Sequence, residues 1–474
     1  MLNAGSDAQI PLVVDLDDTL LRTDMLYECF WKGMGNDPLG TLALCWKFWR
    51  RPNRLKLELA AASGCEVATL PVDPDVQRFC QSAHDEGRDV VVASGSTSKL
   101  VHAVADRVGG IDLVFASDDR VNLTGREKAA LLIERYGEGG FDYIGDSPKD
   151  IQVWKAARRC IVARPTKRML AQISEAELEP QTIGAPWTLK DLFAGFRPRQ
   201  WIKNVLLVLP VIAAHSIDPL SLLLVALGIV SYSAAASAIY IVNDLTDLDA
   251  DRLHPTKSKR VFAVGRVPIR VGMLASAALG LFSLLVAALL GWKMLAVIVV
   301  YILTTLAYSM RLKRARWVDV TTLGVLYTLR VVAGAAATQV PASGWLIAFI
   351  FPLFLTLACV KRLTELARAT TDGPIPGRKY QKSDRGDLLN MSILGATASA
   401  GVFIAYSYSG TAAILYDSVW MLRLVVVSLV LWLIRMISTG WTGLQAYDPI
   451  EFALRDKVGL LIIVVAVATL LVAV

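Results

Sequence analysis

The stretch Asn243-Asp244-Leu245-Thr246-Asp247-Leu248-Asp249-Ala250-Asp251 carries four acidic residues in nine positions and directly follows the apolar run 220–242. If a helix continues beyond this run, Asn243, Asp247 and Asp251 share one face, and Asp244 lies one turn before Asp247. Oxygen-bearing side chains crowded at a membrane boundary repel one another unless a cation binds. Such hard ligands suit Mg²⁺, which completes its shell with water and substrate phosphate oxygens. The sequence therefore predicts a magnesium-phosphate site here; the alternative is a solvated acidic helix end.

The 474-residue chain changes character near residue 200. Up to about Leu192 it resembles an ordinary soluble domain, and from about Trp201 long apolar runs dominate. We therefore expect one soluble and one membrane domain. The net charge of +7 does not indicate nucleic acid, because the basic residues of the second half cluster between apolar runs. The six cysteines show neither a C-x-x-C pair nor a metal-binding spacing, which favours a reducing, cytosolic environment.

Three short apolar runs in the soluble half each end in polar residues. The runs 11–14, 89–93 and 141–144 lead into Asp15-Leu16-Asp17-Asp18-Thr19-Leu20, Ser94-Gly95-Ser96-Thr97 and Gly145-Asp146-Ser147-Pro148-Lys149-Asp150. Between the second and third runs, Gly125-Arg126-Glu127-Lys128 opens an apolar-periodic helix. Strands that alternate with helices predict a doubly wound parallel sheet, with ligands at the carboxyl ends of its strands.

The order of these four motifs resembles the haloacid dehalogenase (HAD) phosphatase superfamily. The resemblance implies that Asp15 is a nucleophile forming an aspartyl-phosphate, that Asp17 is the general acid and base, and that Ser94 and Lys128 hold phosphoryl oxygens. It also implies one Mg²⁺ ion, held by Asp15, Asp17, Asp146 and Asp150. The chemistry is coherent by itself, because a carboxylate that attacks a dianionic phosphate needs a metal ion and a lysine to offset charge. The alternative is a degenerate, purely structural HAD-like domain.

The fold class expected for the first half is therefore an α/β, Rossmannoid HAD-like domain at residues 1–182. A segment at about 24–68, rich in large apolar and basic residues, separates the first two motifs and is interpreted as a helical cap near the membrane, because tryptophan and arginine suit contact with lipid head groups. The alternative is a helical cap whose aromatic side chains face inward. Residues 183–198 are interpreted as a linker and an interfacial helix, and residues 199–474 as an all-α membrane domain.

Nine apolar runs of the membrane half are predicted to span the bilayer. They are 203–217, 220–242, 271–291, 294–310, 318–338, 344–360, 389–411, 418–436 and 458–474. Lysine and arginine concentrate in alternate connections, such as 252–270, 311–316 and 361–382. The positive-inside rule therefore predicts a protein of the bacterial inner membrane with the HAD-like domain and active sites in the cytoplasm and the C-terminus outside.

Nine helices with Asn-Asp-x-x-Asp-x-x-x-Asp after the second resemble the UbiA superfamily of intramembrane transferases. The resemblance covers the C-terminal half and implies that Asn243, Asp244, Asp247 and Asp251 hold a diphosphate leaving group through Mg²⁺. Tyr308, followed by Lys313 and Asp319, extends the match.

The loop between the sixth and seventh predicted spans departs from the prenyl-transferring pattern. Asp384 and Asp387 form only a reduced D-x-x-D, surrounded by cations that weaken a second Mg²⁺ site and attract further phosphates. We expect one or two Mg²⁺ ions in this domain. The residues expected to bind substrate are Lys203, Asn243, Lys257, Arg260, Tyr308, Lys313, Arg330, Lys361, Arg362, Arg378 and Lys379. Arg330, within the fifth span, is either a phosphate ligand or half of an interhelical ion pair.

Several segments (197–204, 251–257, 361–362, 448–449 and 452–456) resemble one UbiA branch, the decaprenyl-phosphate phosphoribosyltransferases. The resemblance implies 5-phosphoribosyl diphosphate (PRPP) and a polyprenyl phosphate as substrates. The HAD-like domain would then remove the 5-phosphate, giving polyprenyl-phosphate ribose for glycan synthesis. One alternative is an aromatic prenyltransferase of quinone or haem synthesis carrying an unrelated phosphatase. Another is a HAD phosphatase whose membrane helices are a scaffold or transporter.

Overall fold

The computed structural model describes residues 10–118, 122–369, 373, 378–445 and 448–473. The chain divides into two compact units. The first contains the residues up to Phe196 together with Tyr240–Ser276, and the second contains Arg197–Ile239 together with the chain from Ala277 onward. The acidic stretch therefore belongs to the same compact unit as the HAD-like half. This division reflects compactness in space, and the domain limits proposed from the sequence remain a prediction.

A six-stranded parallel sheet forms the centre of the first unit, in the order β3-β2-β1-β4-β5-β6. Its strands are β1 (Leu12–Val14), β2 (Val90–Thr97), β3 (Leu113–Ser117), β4 (Asp142–Gly145), β5 (Arg159–Ala163) and β6 (Pro180–Ile183). Alternate residues of β1 enter different cores: Leu12 and Val14 pack on one face, and Val13 on the other. Because both faces are covered, the strands have the continuous apolar sequences typical of parallel sheets. This is the α/β arrangement expected from the HAD resemblance.

Up to residue 196, the described residues form nine α-helices besides the sheet: α1 (Met25–Asn36), α2 (Pro38–Phe48), α3 (Pro52–Ser63), α4 (Pro74–Asp85), α5 (Ser98–Val108), α6 (Arg126–Tyr136), α7 (Ile151–Ala156), α8 (Lys167–Glu175) and α9 (Leu189–Gly195). Helices α1–α3 occupy the segment predicted to be a helical cap. Strands β3 and β6 were not predicted. They form the two edges of the sheet, and Pro180 costs little in β6 because an edge strand has unpaired backbone positions.

The remaining helices follow in chain order. They are α10 (Leu209–Ala213), α11 (Pro219–Thr246), α12 (Leu248–Leu253), α13 (Ile269–Leu290), α14 (Trp292–Met310), α15 (Arg316–Thr338), α16 (Gly344–Arg368), α17 (Arg385–Ser407), α18 (Gly410–Leu415), α19 (Val419–Trp441), α20 (Pro449–Ala453) and α21 (Lys457–Ala473). Among the described residues, seven helices are long and apolar enough to cross a membrane: α11, α13, α14, α15, α16, α17 and α19.

Two of the nine predicted spans are not confirmed. The segment predicted at 203–217 is a 3₁₀ helix, Pro198–Val208, followed by the five-residue α10. Lys203, Asn204 and Leu207 are buried there, and a Cβ on Gly334 of α15 would lie 1.9 Å from the Leu207 carbonyl oxygen. This segment therefore packs against α15 and does not form a single membrane-spanning helix. The last predicted span is α21, whose 17 residues extend about 26 Å, less than a typical hydrocarbon core.

Candidate active sites

Three carboxylates meet at the carboxyl end of the sheet. Asp15 follows β1, and Asp146 and Asp150 follow the neighbouring β4. One oxygen from each lies within 4.8 Å of the others. Burial, with further contributions from neighbouring carboxylates, raises the pKa of Asp15 to about 7 and that of Asp146 well above its usual value. A partly buried group of hard oxygen ligands whose charges repel fits Mg²⁺.

Lys128, from α6, supplies the positive charge beside this group. Its Nζ lies 2.9 Å from Asp15 Oδ1 and 3.8 Å from Asp150 Oδ1. Burial opposes the charge of the amine, but Asp15 and Asp150 raise the pKa of Lys128, so the ammonium form is retained. Lys128 also donates to the Tyr143 hydroxyl (2.8 Å), which donates to Asp150 Oδ1 (3.0 Å). The sequence did not indicate Tyr143, because a buried tyrosine in a strand has the pattern of an ordinary core residue.

Asp17 connects the strand ends to the cap. Its Oδ2 accepts hydrogen bonds from Ser94 Oγ (3.2 Å) and Ser96 Oγ (2.6 Å), and its Oδ1 accepts one from Met25 N at the start of α1 (2.9 Å). Ser94 was predicted to hold a phosphoryl oxygen, and here its hydroxyl contacts the carboxylate predicted to be the general acid. Ser96 was not predicted. The structure thus brings Asp15, Asp17, Ser94, Lys128, Asp146 and Asp150 together around the carboxyl ends of β1, β2 and β4.

The acidic stretch is helical with one kink. Helix α11 ends at Thr246 and α12 begins at Leu248, with Asp247 between them at φ −104° and ψ 16°. Two backbone hydrogen bonds continue the helical spacing, from Asp247 N to the Asn243 carbonyl (3.1 Å) and from Asp251 N to the Asp247 carbonyl (2.8 Å). The continuous helix expected from the sequence is therefore interrupted, although its four-residue repeat persists.

Arginine and lysine lie against the acidic stretch. One guanidinium nitrogen of Arg260, Nη1, is 3.1 Å from Asp244 Oδ1 and also pairs with Asp251 Oδ2. Lys257 Nζ is 3.8 Å from Asp251 Oδ1. Within the described part of the chain, Asn243 Oδ1 and Asp251 Oδ1 are buried without a hydrogen-bond partner. Buried oxygens in need of a partner fit the Mg²⁺ predicted here, and the neighbouring cations fit a ligand rich in phosphate.

The other face of the acidic stretch contacts the cap. Arg252 forms a bidentate ion pair with Glu28 of α1, at 2.5 and 3.2 Å, and both side chains are buried. Asp249 accepts from Lys32 Nζ (2.6 Å) and from Thr69 Oγ1 (2.8 Å). Asp249 therefore has a packing role, which separates it from the other acids of the stretch.

Glu28→Gln is expected to lower the stability of the first unit by about 3–5 kcal/mol, because the Arg252 charge is left buried without its carboxylate. Thermal unfolding of the detergent-solubilised protein measures the effect. Glu134→Gln, the same change at an exposed glutamate of α6, is the control. Equal melting temperatures for the two variants would contradict the prediction.

In the second unit, Arg362 is the centre of a buried polar network. It lies 2.6 Å from Asp319 Oδ2, 2.7 Å from Glu365 Oε2 and 3.2 Å from the Tyr308 hydroxyl. Tyr308 donates to Asp319 Oδ1 (2.8 Å), and Arg378 donates to Glu365 Oε2 (2.8 Å). Three residues predicted to bind substrate, Tyr308, Arg362 and Arg378, are thus brought together. Arg362 is fully buried between carboxylates, which gives it a structural role.

Asp319→Asn is expected to destabilise the protein by about 1–3 kcal/mol, since Asp319 and Arg362 are both 0% exposed and the buried guanidinium loses one of its two carboxylate partners while it keeps Glu365. Thermal unfolding in detergent measures this loss. Asp417→Asn, at an exposed position, should leave the melting temperature unchanged. A network formed only to bind substrate would instead let Asp319→Asn unfold at the wild-type temperature.

Two predicted lysines converge elsewhere in the second unit. Lys203 and Lys361 lie 3.0 and 2.8 Å from Asp448 Oδ2, and Tyr327 donates to its Oδ1 (3.2 Å). Burial opposes ionisation of Asp448, but the two lysines hold its pKa well below the usual range. Asp448 was noted in the sequence only as part of a family likeness.

Arg330 lies deep among aromatic rings. Its guanidinium carbon is 5.1–5.8 Å from the ring centres of Tyr232, Tyr301 and Tyr327. Its Nε donates to Asn204 Oδ1 (3.1 Å), and Nη1 donates to the Leu326 carbonyl (2.7 Å). These contacts hold the side chain in place, and its role toward a phosphate stays a prediction.

Both aspartates of the reduced D-x-x-D, Asp384 and Asp387, lie beside Arg316. Asp384 pairs with Arg316 and accepts a hydrogen bond from Gln381 N (2.9 Å) in a capping box before α17, while Asp387 is 3.7 Å from the same arginine. Among the described residues, the only group of three or more acids whose oxygens meet closely enough for a metal is that of Asp15, Asp146 and Asp150. A second Mg²⁺ at Asp384 and Asp387 stays a prediction.

Two further lysines that were predicted to bind substrate lie in connections between helices. Lys313 belongs to the 3₁₀ turn Leu312–Arg314, and Lys379 is exposed in the loop before α17.

Comparison with known proteins identifies the membrane half. The family described as UbiA prenyltransferase matches residues 205–447. The chain belongs to this family. The decaprenyl-phosphate phosphoribosyltransferase of Mycobacterium tuberculosis is 33% identical over 284 residues, covering 58% of this UbiA-family chain and 91% of that enzyme.

Similarity also extends to the first half. The uncharacterised protein y4nM of Sinorhizobium fredii is 31% identical over 457 residues, covering 95% of this chain and 88% of that protein. A HAD family hydrolase from Salmonella enterica, of known structure, aligns with 34% of this chain and 66% of its own at a TM-score of 0.27 and 13% identity. The similarity to y4nM therefore covers the residues before the UbiA-family match as well as the match itself.

Proposed function

We propose that this protein transfers 5-phosphoribose from PRPP to a polyprenyl phosphate and then removes the 5-phosphate, giving polyprenyl-phosphate ribose. The observation that carries the proposal is that the acidic stretch of a UbiA-family chain and the carboxylate cluster at the carboxyl end of the parallel sheet belong to one compact unit. The homologous decaprenyl-phosphate phosphoribosyltransferase supports the choice of substrates. A phosphomonoesterase beside such a transferase accounts for the fate of the remaining phosphate.

In the transfer step, an oxygen of the lipid phosphate attacks C1 of the ribose, the bond from C1 to the diphosphate oxygen breaks, and diphosphate leaves. Asn243, Asp244, Asp247 and Asp251 would hold Mg²⁺, which offsets the charge that develops on the departing diphosphate. Lys257 and Arg260 contribute further positive charge beside it. The carboxylates also provide the anionic surroundings that favour an oxocarbenium-like sugar.

In the phosphatase step, Asp15 attacks the phosphorus, the bond from phosphorus to the sugar oxygen breaks, and Asp17 donates a proton to the departing alkoxide. Water, deprotonated by Asp17, then releases phosphate from Asp15. Lys128 neutralises charge on the phosphoryl group. Tyr143 positions the Lys128 ammonium and the Asp150 carboxylate through its hydroxyl. Asp15, Asp146 and Asp150 with the Asp17 carbonyl would hold the Mg²⁺ ion.

The lipid-linked ribose is proposed to serve cell-surface glycan synthesis. The protein is proposed to lie in the bacterial inner membrane, with both active sites in the cytoplasm and the C-terminus outside. Charge alternation in the sequence supports this topology.

The test is to give the purified protein PRPP labelled in the ribose, a polyprenyl phosphate and Mg²⁺, and to extract the lipid. Labelled lipid whose sugar lacks the 5-phosphate is expected. A protein that leaves the lipid unlabelled, yet couples a prenyl diphosphate to an aromatic acid, would be an aromatic prenyltransferase instead. Labelled lipid that keeps its 5-phosphate would uphold the transfer step and overturn the phosphatase step.

A further inference from the structure

A cavity of about 310 Å³ adjoins the phosphatase carboxylates. Asp18 and Asp146 line it, from the loops after β1 and β4. Four arginines also line it: Arg164, Arg168, Arg266 and Arg270. None of these arginines belongs to a motif that the sequence indicates. Two carboxylates and four guanidinium groups therefore share the lining of this cavity.

The arginines differ in how firmly they are held. Arg164 is fixed, because Nη2 donates to the Asp18 carbonyl (2.5 Å) and Nη1 lies 3.1 Å from Asp73 Oδ2. Arg266 is 3.3 Å from Asp191 and well exposed. Within the described residues, Arg168 and Arg270 form no hydrogen bond or ion pair, and Arg270 acts on Asp18 and Asp146 only through its charge. Two guanidinium groups therefore have donors to offer a ligand.

The wall that carries Arg266 and Arg270 is built into the unit. Gly265 has φ +65°, and a Cβ there would lie 2.2 Å from the Arg22 carbonyl oxygen, so this backbone lies directly on the loop after β1. Arg22 is itself anchored by Asp73, the partner of Arg164, at 2.9 Å. Arg266 and Arg270 lie in the chain segment that directly follows the acidic stretch. This segment therefore connects the acidic stretch to the wall of the cavity beside Asp146.

We propose that these arginines form a second anion subsite, so that the phosphatase prefers a substrate with two anionic groups: the phosphomonoester to be cleaved and a second phosphate that is retained. This inference rests on the proposed function and specifies its substrate. Polyprenyl-phosphate ribose 5-phosphate has this chemistry, with a monoester at C5 and a diester at C1. Guanidinium groups suit the retained phosphate because their planar donors match its oxygens in pairs.

Binding tests the subsite without catalysis. In full-length protein carrying Asp15→Asn, titration calorimetry compares ribose 1,5-bisphosphate with ribose 5-phosphate. The bisphosphate should bind about tenfold more tightly or better, since a charge-assisted hydrogen bond contributes roughly 1.5–3 kcal/mol. Adding Arg168→Gln and Arg270→Gln should remove most of that preference. The control Arg78→Gln, at an exposed arginine of α4 away from the cavity, should retain it.

Two results would overturn the subsite: equal affinity for the two sugars in the Asp15→Asn protein, or a preference that survives the double arginine substitution. Phosphate release by the wild-type protein is measured separately from both sugars. Failure to release phosphate from either would overturn the phosphatase assignment, while the calorimetry still decides whether the second anion subsite exists.

Discussion

Asp15→Asn is expected to stop phosphate release while leaving transfer intact, so that a lipid-linked ribose still carrying its 5-phosphate accumulates. The amide keeps the shape of the side chain but cannot attack phosphorus, and it removes the negative charge that Lys128 meets at 2.9 Å. Loss of a nucleophile lowers turnover by at least about three orders of magnitude. Labelled PRPP and thin-layer separation of lipids before and after alkaline phosphatase treatment distinguish the two products.

Asp106→Asn provides the control, since Asp106 is an exposed aspartate of α5 and should give the wild-type product. If Asp15→Asn also gives dephosphorylated lipid, the 5-phosphate is removed elsewhere and the HAD-like half is structural. If it gives no labelled lipid at all, the two halves depend on each other in a way that the proposed sequence of steps does not include.

The sheet and the polar loops at its carboxyl edge were predictable because they depend on local pattern. A parallel strand buried on both faces has a short, continuous apolar sequence, and its carboxyl end must carry the polar residues that a ligand meets. Those two facts predicted that Asp15 and Asp146 lie near one another, and the HAD resemblance implied that Lys128 lies beside them. The helical cap was predictable for a similar reason, since a long insertion between two strands must fold on itself.

Contacts between distant parts of the chain were not predictable in this way. Glu28 and Arg252 are separated by 224 positions, and neither stands out in its own segment. The same holds for Tyr143 and for the arginines of the cavity, whose neighbours are fixed only by the packing of the whole unit. Such residues have no periodicity or motif, so only the fold reveals their partners.

The first predicted span shows how hydropathy alone misleads. Residues 203–217 are apolar enough to suggest a crossing, yet Pro210 falls within them and the segment packs on Gly334 through its backbone. An apolar run is needed both to face lipid and to pack against another helix. Composition therefore identifies candidate spans, while length and packing decide which of them are single helices.

Asp247→Asn is expected to abolish labelled lipid, with a loss of at least about a hundredfold, because it removes one carboxylate from the proposed Mg²⁺ ligands. Asp249→Asn is the matched control: it makes the same change two positions away, at a side chain that accepts hydrogen bonds from Lys32 of the cap and from Thr69. Asp249→Asn should retain transfer. Raising the Mg²⁺ concentration should restore part of the activity of Asp247→Asn, since a weakened site fills at higher ion concentration. Equal losses in the two variants, or no response to Mg²⁺, would mean that the acidic stretch supports the fold rather than the metal-assisted departure of diphosphate.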